Sequence, residues 1–544
     1  MPYPLRPIDL RGRRVVWCLE LTWASRVFRL STEPVELVDA DSVSIPFDGG
    51  LSDPLFEESM ERLETEASES SASMEVYLPV DVALERQKGH DPATATGELS
   101  MVLVRGPHGG AVVDQTYETR FRVFAGRVEG AQWSDPEQPA GWLAFTLREQ
   151  AYEDSSTIIP IHWRVTSDAW TFAEPEHYGK VYPLVFGTPG VYIDTDGSPQ
   201  KKGATPAYIV TTAGGNANLL LIAGHPVAAT SVTIFDSTTS ESFPVSHQGE
   251  TGFSQVGVQV AVVDVTGAAA ISRTESEYWV CWDDGGGIPY EAGNLERLGD
   301  VIAHFLGLGS IPVDYGRWAA VGVLLNGIIV GGYVNDPEAT PWDYIVAHLL
   351  PLAPLSVLRG PDGLFPVPHD PDWSSARPIS AITAGEEWTR IGPIQGERSR
   401  DDIVNEYELA YAVGHESAGR RVAVVGSRND EEAEQSSSSY TLISIGRYGA
   451  TQASSTSDVL WNDSSAQVVA HMTVRESSLQ IESAPYAAPI TAGWHQLGDQ
   501  ITITDAAAQW TDARCVIYSK SWTGTGWEFL VLRDDDPIHD VRST

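Results

Sequence analysis

The sequence predicts a mainly β protein with a few helices, divided into several domains. Three observations predict this fold class. A chain of 544 residues is too long for one ordinary hydrophobic core. Its 49 glycines and 34 prolines indicate many turns and therefore many short strands. Apolar and polar residues alternate along many short segments, whereas helical spacing occurs in only a few. Two β-barrel domains, a β-rich insert and a small α+β domain are expected.

The first predicted domain, residues 1–170, is a β-barrel. In residues 15–22, Val15, Trp17, Leu19 and Leu21 alternate with Val16, Cys18, Glu20 and Thr22, as residues on the two faces of a strand do. Many such strands separated by turn signals are typical of a barrel or a sandwich. The segment from Glu57 to Ser73 is rich in glutamate and serine, and it is predicted to be a short helix or a solvated loop.

The second predicted domain, residues 171–290, is a β-rich insert. It opens with YGKVYPLVFGTPG, in which prolines and glycines interrupt a short apolar strand. Further strand patterns follow as far as Trp282. Asp284 and the three glycines after it mark the end of this domain.

The third predicted domain, residues 291–375, is a small α+β domain with two helices. Asn294 is the predicted N-cap of the first, which has apolar residues at spacings of three and four until Gly307 and Gly309 end it. The second has Thr340 as its N-cap and Pro341 in its first turn. Pro351 is expected to end it.

The last predicted domain, residues 376–544, is a second β-barrel. Residues 404–413 and 421–425 are a predicted strand pair, and 428–439 form a polar hairpin tip or loop. Asn462 or Asp463 caps a helix with Val468, Val469 and Met472 on one face. Strands are predicted at 500–504, 513–519 and 527–532, the last two joined by the glycine-rich hairpin SWTGTGW.

The tripeptide Leu-Gly-Asp occurs twice, which separates local structure from chemistry. At Leu298–Asp300 it falls inside a helical period, with Asp300 expected on the solvated face. At Leu497–Asp499 it precedes the alternating run QITIT. There Gly498 is predicted to form a tight turn or bulge, and Asp499 to bond nearby backbone amides. We therefore expect a corner, not a catalytic acid or a metal ligand.

No catalytic, cofactor-binding or metal-binding residue is predicted, and the chain is not expected to be an enzyme. Neither a GxxxxGK[ST] phosphate loop nor a GxSxG nucleophile elbow occurs in the sequence. Asp194–Gly197 resembles part of a calcium loop, but Tyr192 occupies the first ligand position, so an Asp-Gly turn is expected. His415 and Glu416 lack the second histidine of a zinc-protease helix. His304 and His348 are expected at ordinary helix positions.

The three cysteines, Cys18, Cys281 and Cys515, lie far apart in apolar segments, which predicts buried free thiols. No signal-type segment and no run of about 18 apolar residues occurs in the sequence. We therefore expect a protein that is made without secretion and does not insert into membranes.

The formal net charge of −39, with only five lysines, argues against stable nucleic-acid binding, which needs a basic footprint. Three explanations of this charge remain open. Acidic surfaces improve solubility, and salt-adapted organisms favour them. An acidic wall would also let DNA pass without adhering, because carboxylates repel phosphate.

Three regions of the chain resemble baseplate hub (tail tip) proteins of tailed phages, a family that shares a core with the hub of contractile tails. The opening region contains RVVWCLELTWASRVFRLSTEPVEL and IPFDGGLSDP. The middle region is TPWDYIVAHLLPLAPLSVLRGPDGLFPVP. The closing region contains DDIVNEYELAYA, SDVLWNDSSAQVVAHMTV and HQLGDQITITD, followed by CVIYSKSWTGTGWEFLVL. The insert at 178–282 carries no such resemblance.

The resemblance implies a homotrimeric virion protein with two barrels per subunit at the distal end of the tail. It would adapt the sixfold tail tube to the threefold tip and take part in opening for DNA ejection. Its implied partners are a distal tail or tail tube protein, the tape measure protein, and tip or fibre proteins. Its implied location is the virion tail tip, after synthesis in the host cytoplasm.

The alternative function is a receptor-binding or carbohydrate-binding tail tip protein, which could degrade glycans. The 17 tryptophans could line a sugar-binding surface, but they are spread over every predicted domain. That spread favours core and interface positions. A cell-surface adhesin is a third alternative, and the lack of a signal-type segment argues against it.

Overall fold

The computed structural model of the protein describes most of the chain between residues 13 and 533. The described ranges are 13–59, 71–78, 91–106, 112–113, 115–133, 141–148, 157–193, 199–210, 219–227, 231–237, 242–246, 253–255, 258–265, 277–282, 287–290, 293–309, 312–353, 355–360, 363–369, 380–396, 402–414, 421–425, 434–436, 439–478 and 480–533.

Strands dominate the described residues, which confirms the predicted mainly β fold with few helices. The first ten strands are β1 Arg13–Trp23, β2 Arg26–Ser31, β3 Val35–Val38, β4 Ser44–Gly49, β5 Leu55–Ser59, β6 Ser71–Leu78, β7 Thr96–Arg105, β8 Val112–Val113, β9 Phe121–Trp133 and β10 Gly141–Arg148. The next thirteen are β11 Leu184–Phe186, β12 Val191–Ile193, β13 Pro199–Lys201, β14 Thr205–Val210, β15 Leu219–Ala223, β16 Ser231–Asp236, β17 Ser242–Ser246, β18 Phe253–Gln255, β19 Val258–Asp264, β20 Tyr278–Trp282, β21 Pro289–Tyr290, β22 Gly293–Asn294 and β23 Gly332–Val334. The last thirteen are β24 Leu355–Gly360, β25 Gly363–Pro368, β26 Ser380–Thr383, β27 Thr389–Arg390, β28 Gln395–Gly396, β29 Glu406–Tyr411, β30 Arg421–Val425, β31 Glu434–Ser436, β32 Gln452–Thr456, β33 Glu482–Ala488, β34 Gln500–Asp505, β35 Trp510–Trp522 and β36 Trp527–Arg533.

The described α-helices are α1 Leu298–Leu308, α2 Tyr315–Leu325, α3 Pro341–Tyr344, α4 Ser439–Tyr448 and α5 Asp463–Ser477. A π-helical turn, Ile345–Leu349, continues α3, and a 3-10 turn, Leu350–Leu352, follows it. Other 3-10 turns span Pro92–Thr94, Pro175–His177 and Ile490–Trp494.

The chain divides into two units that each combine distant parts of the sequence. Unit 1 comprises Met1–Tyr152, Leu355–Glu397 and Ile481–His539, and unit 2 comprises Glu153–Pro354, Arg398–Gln480 and Asp540–Thr544. These units cross the four consecutive ranges predicted from the sequence. The finer four-domain division therefore stays a prediction.

Unit 1 contains a 17-stranded sheet in which the N-terminal strands form a ring, called the first ring below. In this ring β1 pairs with β7, β7 with β9, β9 with β10, and β10 with β6. Residues 50–52 connect β6 back to β2, which pairs with β1. The Tyr77 amide donates to the Gly50 carbonyl at 2.6 Å, and the Leu51 amide donates to the Ser31 carbonyl at 3.0 Å. The Gly-Gly-Leu turn of the sequence therefore completes the first ring.

The C-terminal strands of unit 1 form a second ring. Here β34 pairs with β35, β35 with β36, β36 with β33, and β33 with β27 and β28. Residues 380–390 lead from β26, which pairs with β34, to β27. The predicted SWTGTGW hairpin is confirmed, because Trp522 lies opposite Trp527.

One continuous hydrophobic core runs through both rings. It contains alternating residues of β1, such as Trp17 and Leu19, together with Ile501 and Ile503 of β34. The hairpin of β24 and β25 adds Phe365 and Val367 to the same core. The inward-facing residues of both predicted barrels are therefore buried in one shared core.

The outer face of the first ring carries a partly buried charge network. Glu20 of β1 lies directly opposite Glu98 of β7, an arrangement of like charges that destabilises a strand pair. The Arg120 guanidinium, which is 7% exposed, compensates for this by reaching Glu20 at 3.1 Å and Glu98 at 2.6 Å. Arg29 and the Tyr117 hydroxyl also donate to Glu20, each at 2.6 Å.

Unit 2 is built around a seven-stranded antiparallel sheet in the order β17-β16-β20-β14-β15-β19-β18. Every residue of β14 and β15 is buried, because separate apolar clusters cover the two faces of the sheet. The predicted pair of β29 and β30 belongs to a second, four-stranded sheet, against which α5 packs.

Several local predictions are confirmed. The Thr340 side chain accepts from the Asp343 amide at 3.1 Å and donates to its carboxylate at 2.7 Å, which caps α3. The Asn462 side chain likewise caps α5 by accepting from the Ser465 amide at 3.0 Å. The three cysteines are free and buried.

Other local predictions are wrong. Asn294 belongs to β22, and α1 begins later, with Arg297 at its N-cap position. Asp300, in contrast, is not among the buried residues of α1, although it is half-buried. Val468 is 40% exposed, because α5 buries Ala466, Val469, Ala470 and Val474 instead.

Two segments expected to be helix or loop contain strands. The ends of the segment from Glu57 to Ser73 belong to β5 and β6, while residues 60–70 lie outside the described residues. Within the polar segment 428–439, residues 434–436 form β31, which pairs in parallel with β30. Helices α2 and α4 were not predicted.

Ile503→Asp tests whether β34 is a core strand. Ile503 is 0% exposed, so an aspartate there would bury an unpaired carboxylate, and the free energy of unfolding should fall by on the order of 4 kcal/mol or more. Ile501→Asp should act alike, because Ile501 is 1% exposed. The urea midpoint of the purified protein measures the effect.

Thr502→Asp is the matched control, because Thr502 lies between these two positions on the opposite face and pairs in register with Arg514. It should change the stability by less than about 1 kcal/mol. Equal stability of Ile503→Asp and Thr502→Asp would show that β34 does not face the core.

Candidate functional site

The candidate site of unit 1 is the junction where the first and second rings meet on β35. The first half of β35 pairs with β34, and Cys515–Trp522 pair along the opposite edge with β36. Ser519–Ser521 pair instead with Glu57–Ser59 of β5. β35 therefore belongs to the second ring and is also hydrogen-bonded, through β5, to the strands of the first ring.

Aromatic side chains from both rings fill this junction. Trp17 of the first ring contacts Trp522 and Trp527 of the second with ring centroids 5.7 and 6.0 Å apart. Phe56 of β5 lies 6.1 Å from Trp527 and 6.0 Å from Phe124. All these contacts are edge-to-face, the geometry in which aromatic pairs attract beyond the burial of their area.

Lys520 places a positive charge inside the junction, although the residue is 3% exposed. Its ammonium donates to the backbone carbonyls of Gly493 and His495, both at 2.7 Å, and lies 4.4 Å from the centroid of the Trp527 ring. Burying a charge is costly unless strong partners replace water. Charge-assisted hydrogen bonds and a cation–π contact supply those partners here.

Gly493 lets this turn approach both rings. A Cβ at Gly493 would lie 2.7 Å from the Met101 side chain of the first ring and 2.7 Å from the Trp527 indole nitrogen. Any side chain would force these groups apart. The hydrogen bonds of Lys520 therefore fix a backbone turn that contacts both rings.

His495, at the same turn, stays neutral. Its burial, followed in importance by the positive charge of Lys520, lowers the pKa of His495 to about 3. Its ring stacks on Trp494 with centroids 3.6 Å apart and meets Trp388 edge-on at 5.5 Å. Because only the neutral imidazole is present near pH 7, His495 acts as an aromatic packing residue.

The Leu497–Asp499 corner lies next to this turn, and the prediction that it admits a strand is confirmed. The Asp499 carboxylate accepts from the Gln496 amide at 2.8 Å, and Gly498 has a φ of 72°. A Cβ at Gly498 would lie 2.3 Å from the Val367 side chain. The glycine therefore serves both the left-handed turn and the close approach of the β24–β25 hairpin.

In unit 2, His348 and Asp458 form the arrangement that most resembles acid–base chemistry. The His348 Nδ1 lies 3.1 Å from the Asp458 carboxylate, and the imidazole stacks on Tyr344 with centroids 4.5 Å apart. The hydrogen bond to Asp458 raises the pKa of His348, although partial burial opposes this. The pair links two distant parts of unit 2.

The π-helical turn presents His348 to this partner. Such turns are rare and often occur at functional sites, since the extra residue alters which side chains face outward. Tyr344, just before the turn, is buried, and its burial raises its pKa well above the usual value, with Asp458 adding to the effect. Tyr344 therefore remains a neutral phenol, and the Asp458 carboxylate interacts with His348.

A second histidine pair is inaccessible. Ser356 Oγ lies 2.8 Å from His369 Nε2 in the β24–β25 hairpin, as in a nucleophile–base pair. The two residues are only 2% and 1% exposed, so a substrate could not reach the hydroxyl. This pair is a buried hydrogen bond of the hairpin.

The described part of the chain has neither a cluster of possible metal ligands nor a reactive thiol at Cys18. No group of three or more His, Cys, Asp or Glu residues is placed there to hold a metal ion. Burial raises the pKa of the Cys18 thiol to about 12, which removes its nucleophilic form near pH 7. Asp194–Gly197 and the pair His415 and Glu416 lie outside the described residues. No helix of the described ranges is long and apolar enough to cross a membrane.

The sequence did not single out the junction, although one signal was present. Lys520 is one of five lysines, and it lies near the end of β35, after the apolar run Cys515–Tyr518 and two residues before Trp522. Its aromatic partners Trp522 and Trp527 are close in sequence. The pairing of β35 with β5 has no comparable local signal.

The solved structures that are similar to this chain include three from virions or baseplates. One is a chain of the virion of a native gene transfer agent particle, with 11% identity and a TM-score of 0.38 over 66% of this chain and 86% of that chain. The second belongs to the phage P2 baseplate in its activated conformation with Ca, with 10% identity and a TM-score of 0.18 over 65% and 99% of the two chains. The third is from a topological model of the P2 virion baseplate in its activated conformation, with 9% identity and a TM-score of 0.17 over 65% and 99%.

No protein-family model matches the chain. No curated protein matches it either. The TM-scores of these three structures are all below 0.5, so their similarity to this chain is not evidence of its function.

Lys520→Met tests the buried ammonium at the junction. Methionine retains most of the side-chain volume but leaves the carbonyls of Gly493 and His495 without their donor, so the free energy of unfolding should fall by about 2–4 kcal/mol. The pKa of His495 should also rise from about 3, because the second cause of its depression is removed. Urea unfolding and histidine NMR titration measure the two effects.

Lys180→Met is the control, because Lys180 is exposed in unit 2, and it should change the stability by less than about 0.5 kcal/mol. If Lys520→Met were as stable as this control and left the His495 titration unchanged, Lys520 would not hold the turn.

Asp458→Asn tests the pair with His348 through its dependence on pH. A raised histidine pKa contributes stability that is fully present below the ordinary value of 6.5 and is lost as the pH rises through the raised value. Burial lowers the pKa of other histidines, such as His225 and His304, which has the opposite effect on stability. The measured quantity is therefore the difference in stability between wild type and variant. This difference should shrink from pH 6 to pH 9.

His162→Gln is a suitable control, because His162 is exposed. Its difference from wild type should not follow the same pH profile. A constant difference between wild type and Asp458→Asn over this pH range would contradict an ionic role for the pair.

Proposed function

We propose that the protein is a structural virion component, a homotrimeric baseplate hub at the distal end of a phage-type tail. The observation that carries the proposal is the architecture of unit 1, in which one subunit holds two strand rings around a common core. Three such subunits would present six rings, which is the number needed to meet a sixfold tail tube while keeping a threefold tip.

The resembling regions support this proposal through their positions. The opening region forms the start of the first ring, and HQLGDQITITD with the segment after it forms β34, β35 and β36 of the second. The hairpin at the end of the middle region packs into the same core. These segments, distant in sequence, therefore build one body, as two cooperating barrels would require.

The charge of the chain supports a role in which DNA passes but does not bind. A net charge of −39 repels phosphate over roughly a Debye length of about 8 Å at physiological ionic strength. A trimeric ring with carboxylates along its channel would let DNA move through without adhering. The proposal includes a tail tube or distal tail protein, a tape measure protein and tip or fibre proteins as neighbours.

The proposal also includes the absence of catalytic activity. The His348–Asp458 pair has its imidazole stacked on a tyrosine and links two chain segments, which suits a structural contact. The alternative of a carbohydrate-binding or receptor-binding tip protein has one specific observation in its favour, a solvent-exposed pair of aromatic side chains on the first ring.

The mass of the purified protein tests the trimer. Light scattering or native mass spectrometry should give about three times the subunit mass of 59.0 kDa, and electron microscopy should show a threefold ring with a central channel. On particles from a producing cell, antibody against the protein should label the distal end of the tail.

A stable monomer with glycan-hydrolase activity would overturn the proposal. Tight binding of duplex DNA at physiological salt would contradict the role of the acidic charge. As a control, Thr502→Asp protein should form the same ring as wild type, because that substitution lies off the core face.

A further inference from the structure

Tyr77 and Trp142 form an aromatic pair on the outside of the first ring. They lie directly opposite each other on β6 and β10, and their rings meet edge-to-face with centroids 5.6 Å apart. Tyr77 is 45% and Trp142 39% exposed, and Trp142 is the only tryptophan of the exposed class among the described residues. Single exposed apolar residues are normal, but two exposed aromatic side chains in contact form one apolar patch, and such patches can mark binding sites.

Sheet stability alone does not explain the pair. A cross-strand aromatic pair stabilises a sheet by roughly 0.2–1 kcal/mol. The inward neighbours Val76 and Leu143 already anchor both strands in the core.

Polar side chains extend from this pair across the same outer face. The next outward residues are Glu75 on β6 and Ala144 on β10, with Gln132 of β9 on the other side of Ala144. Glu75 and Gln132 are exposed, while Ala144 contributes only a methyl group. A carboxylate and a carboxamide therefore flank a shallow gap beside the aromatic pair.

Hydroxyl groups occupy the following row. Ser73 and Thr146 lie opposite each other, and their oxygens are 2.9 Å apart. Successive outward rows along a strand are about 7 Å apart. The rows at Tyr77, Glu75 and Ser73 therefore make a strip about 14 Å long, which is aromatic at one end and lined with hydrogen-bonding groups beyond.

We propose that this strip, Tyr77–Trp142 with Glu75, Gln132 and the Ser73–Thr146 hydroxyls, is a binding site for a neutral oligosaccharide. A pyranose ring has an apolar face that packs on an aromatic ring and hydroxyls at its edge that bond to carboxylates, amides and hydroxyls. This is the combination of groups that the strip presents in order. The site is independent of the trimeric tail assembly.

The charge of the strip determines the class of sugar. Glu75 lies in the second row, and Glu129 lies opposite Thr146 in the third. Arg148 and Arg127 lie opposite each other in the next row, and the Arg148 guanidinium is 3.4 Å from the Glu129 carboxylate. Carboxylates without excess positive charge repel acidic glycans, so a neutral sugar is favoured.

A second copy of this chain is the competing occupant. Leu55 of β5, which lies opposite Ser73, is 71% exposed and would suit a protein contact. We favour the sugar because the polar rows beside the aromatic pair are rich in groups that bond to hydroxyls. An interface core would instead be depleted of charged residues.

The experiment is calorimetric titration of the full-length protein with chitotetraose, cellotetraose and maltoheptaose. At least one of these sugars should bind with a Kd on the order of 1 mM or tighter. Trp142→Ala should weaken that binding by about tenfold or more, and Tyr77→Ala should weaken it as well. Because the pair stabilises the sheet by only about 0.2–1 kcal/mol, either variant should lower the melting temperature by no more than about 4 °C.

Two further variants sharpen the test. Glu75→Gln keeps a hydrogen-bond acceptor and should bind nearly as wild type, whereas Glu75→Ala should bind several-fold more weakly. Tyr315→Ala removes an exposed aromatic side chain, 65% exposed, from unit 2 and should leave binding unchanged.

Failure of all three sugars to bind would overturn the proposal, as would equal binding by Trp142→Ala and wild type. A lower oligomer mass of Trp142→Ala, without sugar binding by the wild type, would identify the strip as a contact between copies. Because wild-type mass is measured separately, failure of the trimer proposal is distinguishable from failure of this one.

Discussion

The pairing of Ser519–Ser521 with Glu57–Ser59 is the constraint on which unit 1 depends, because it joins strands from the two ends of the chain into one sheet. Without it, β5 and the last residues of β35 would each have an unpaired edge at this point. The junction side chains act in support of this pairing. Trp17, Phe56 and Trp527 exclude water from it, and the Lys520 ammonium fixes the turn that covers it.

The choice of lysine at position 520 has a structural consequence that an apolar residue would lack. A buried ammonium is tolerated only when its acceptors lie in place, so wrong registers of β35 are penalised by an unsatisfied charge. Apolar packing alone tolerates many arrangements of similar volume. The carbonyls of Gly493 and His495 thus select one position of this turn, and the neutral state of His495 avoids a second positive charge beside it.

The features of this fold that depend only on neighbouring residues could be predicted from the sequence. The alternation in β1 and β34, the Thr340 cap and the Leu497–Asp499 corner all follow from neighbouring residues, and the structure confirms them. Asn294 was mistaken for a cap because a polar residue before a helix can also end a short strand. Helix α2 was overlooked although Asp314 caps it. The junction could not be predicted, because residues 59 and 519 pair without any local signal.

The same separation in sequence affects how unit 1 can form. β5 cannot pair until β35 has been made, about 460 residues later. Contacts between residues so far apart in sequence slow folding, and the edge of β5 stays exposed until they form. An exposed strand edge favours aggregation unless charge discourages pairing. Glu57 of β5 is exposed and places a negative charge at this edge. This charge discourages wrong pairing of β5 before its partner β35 has been made.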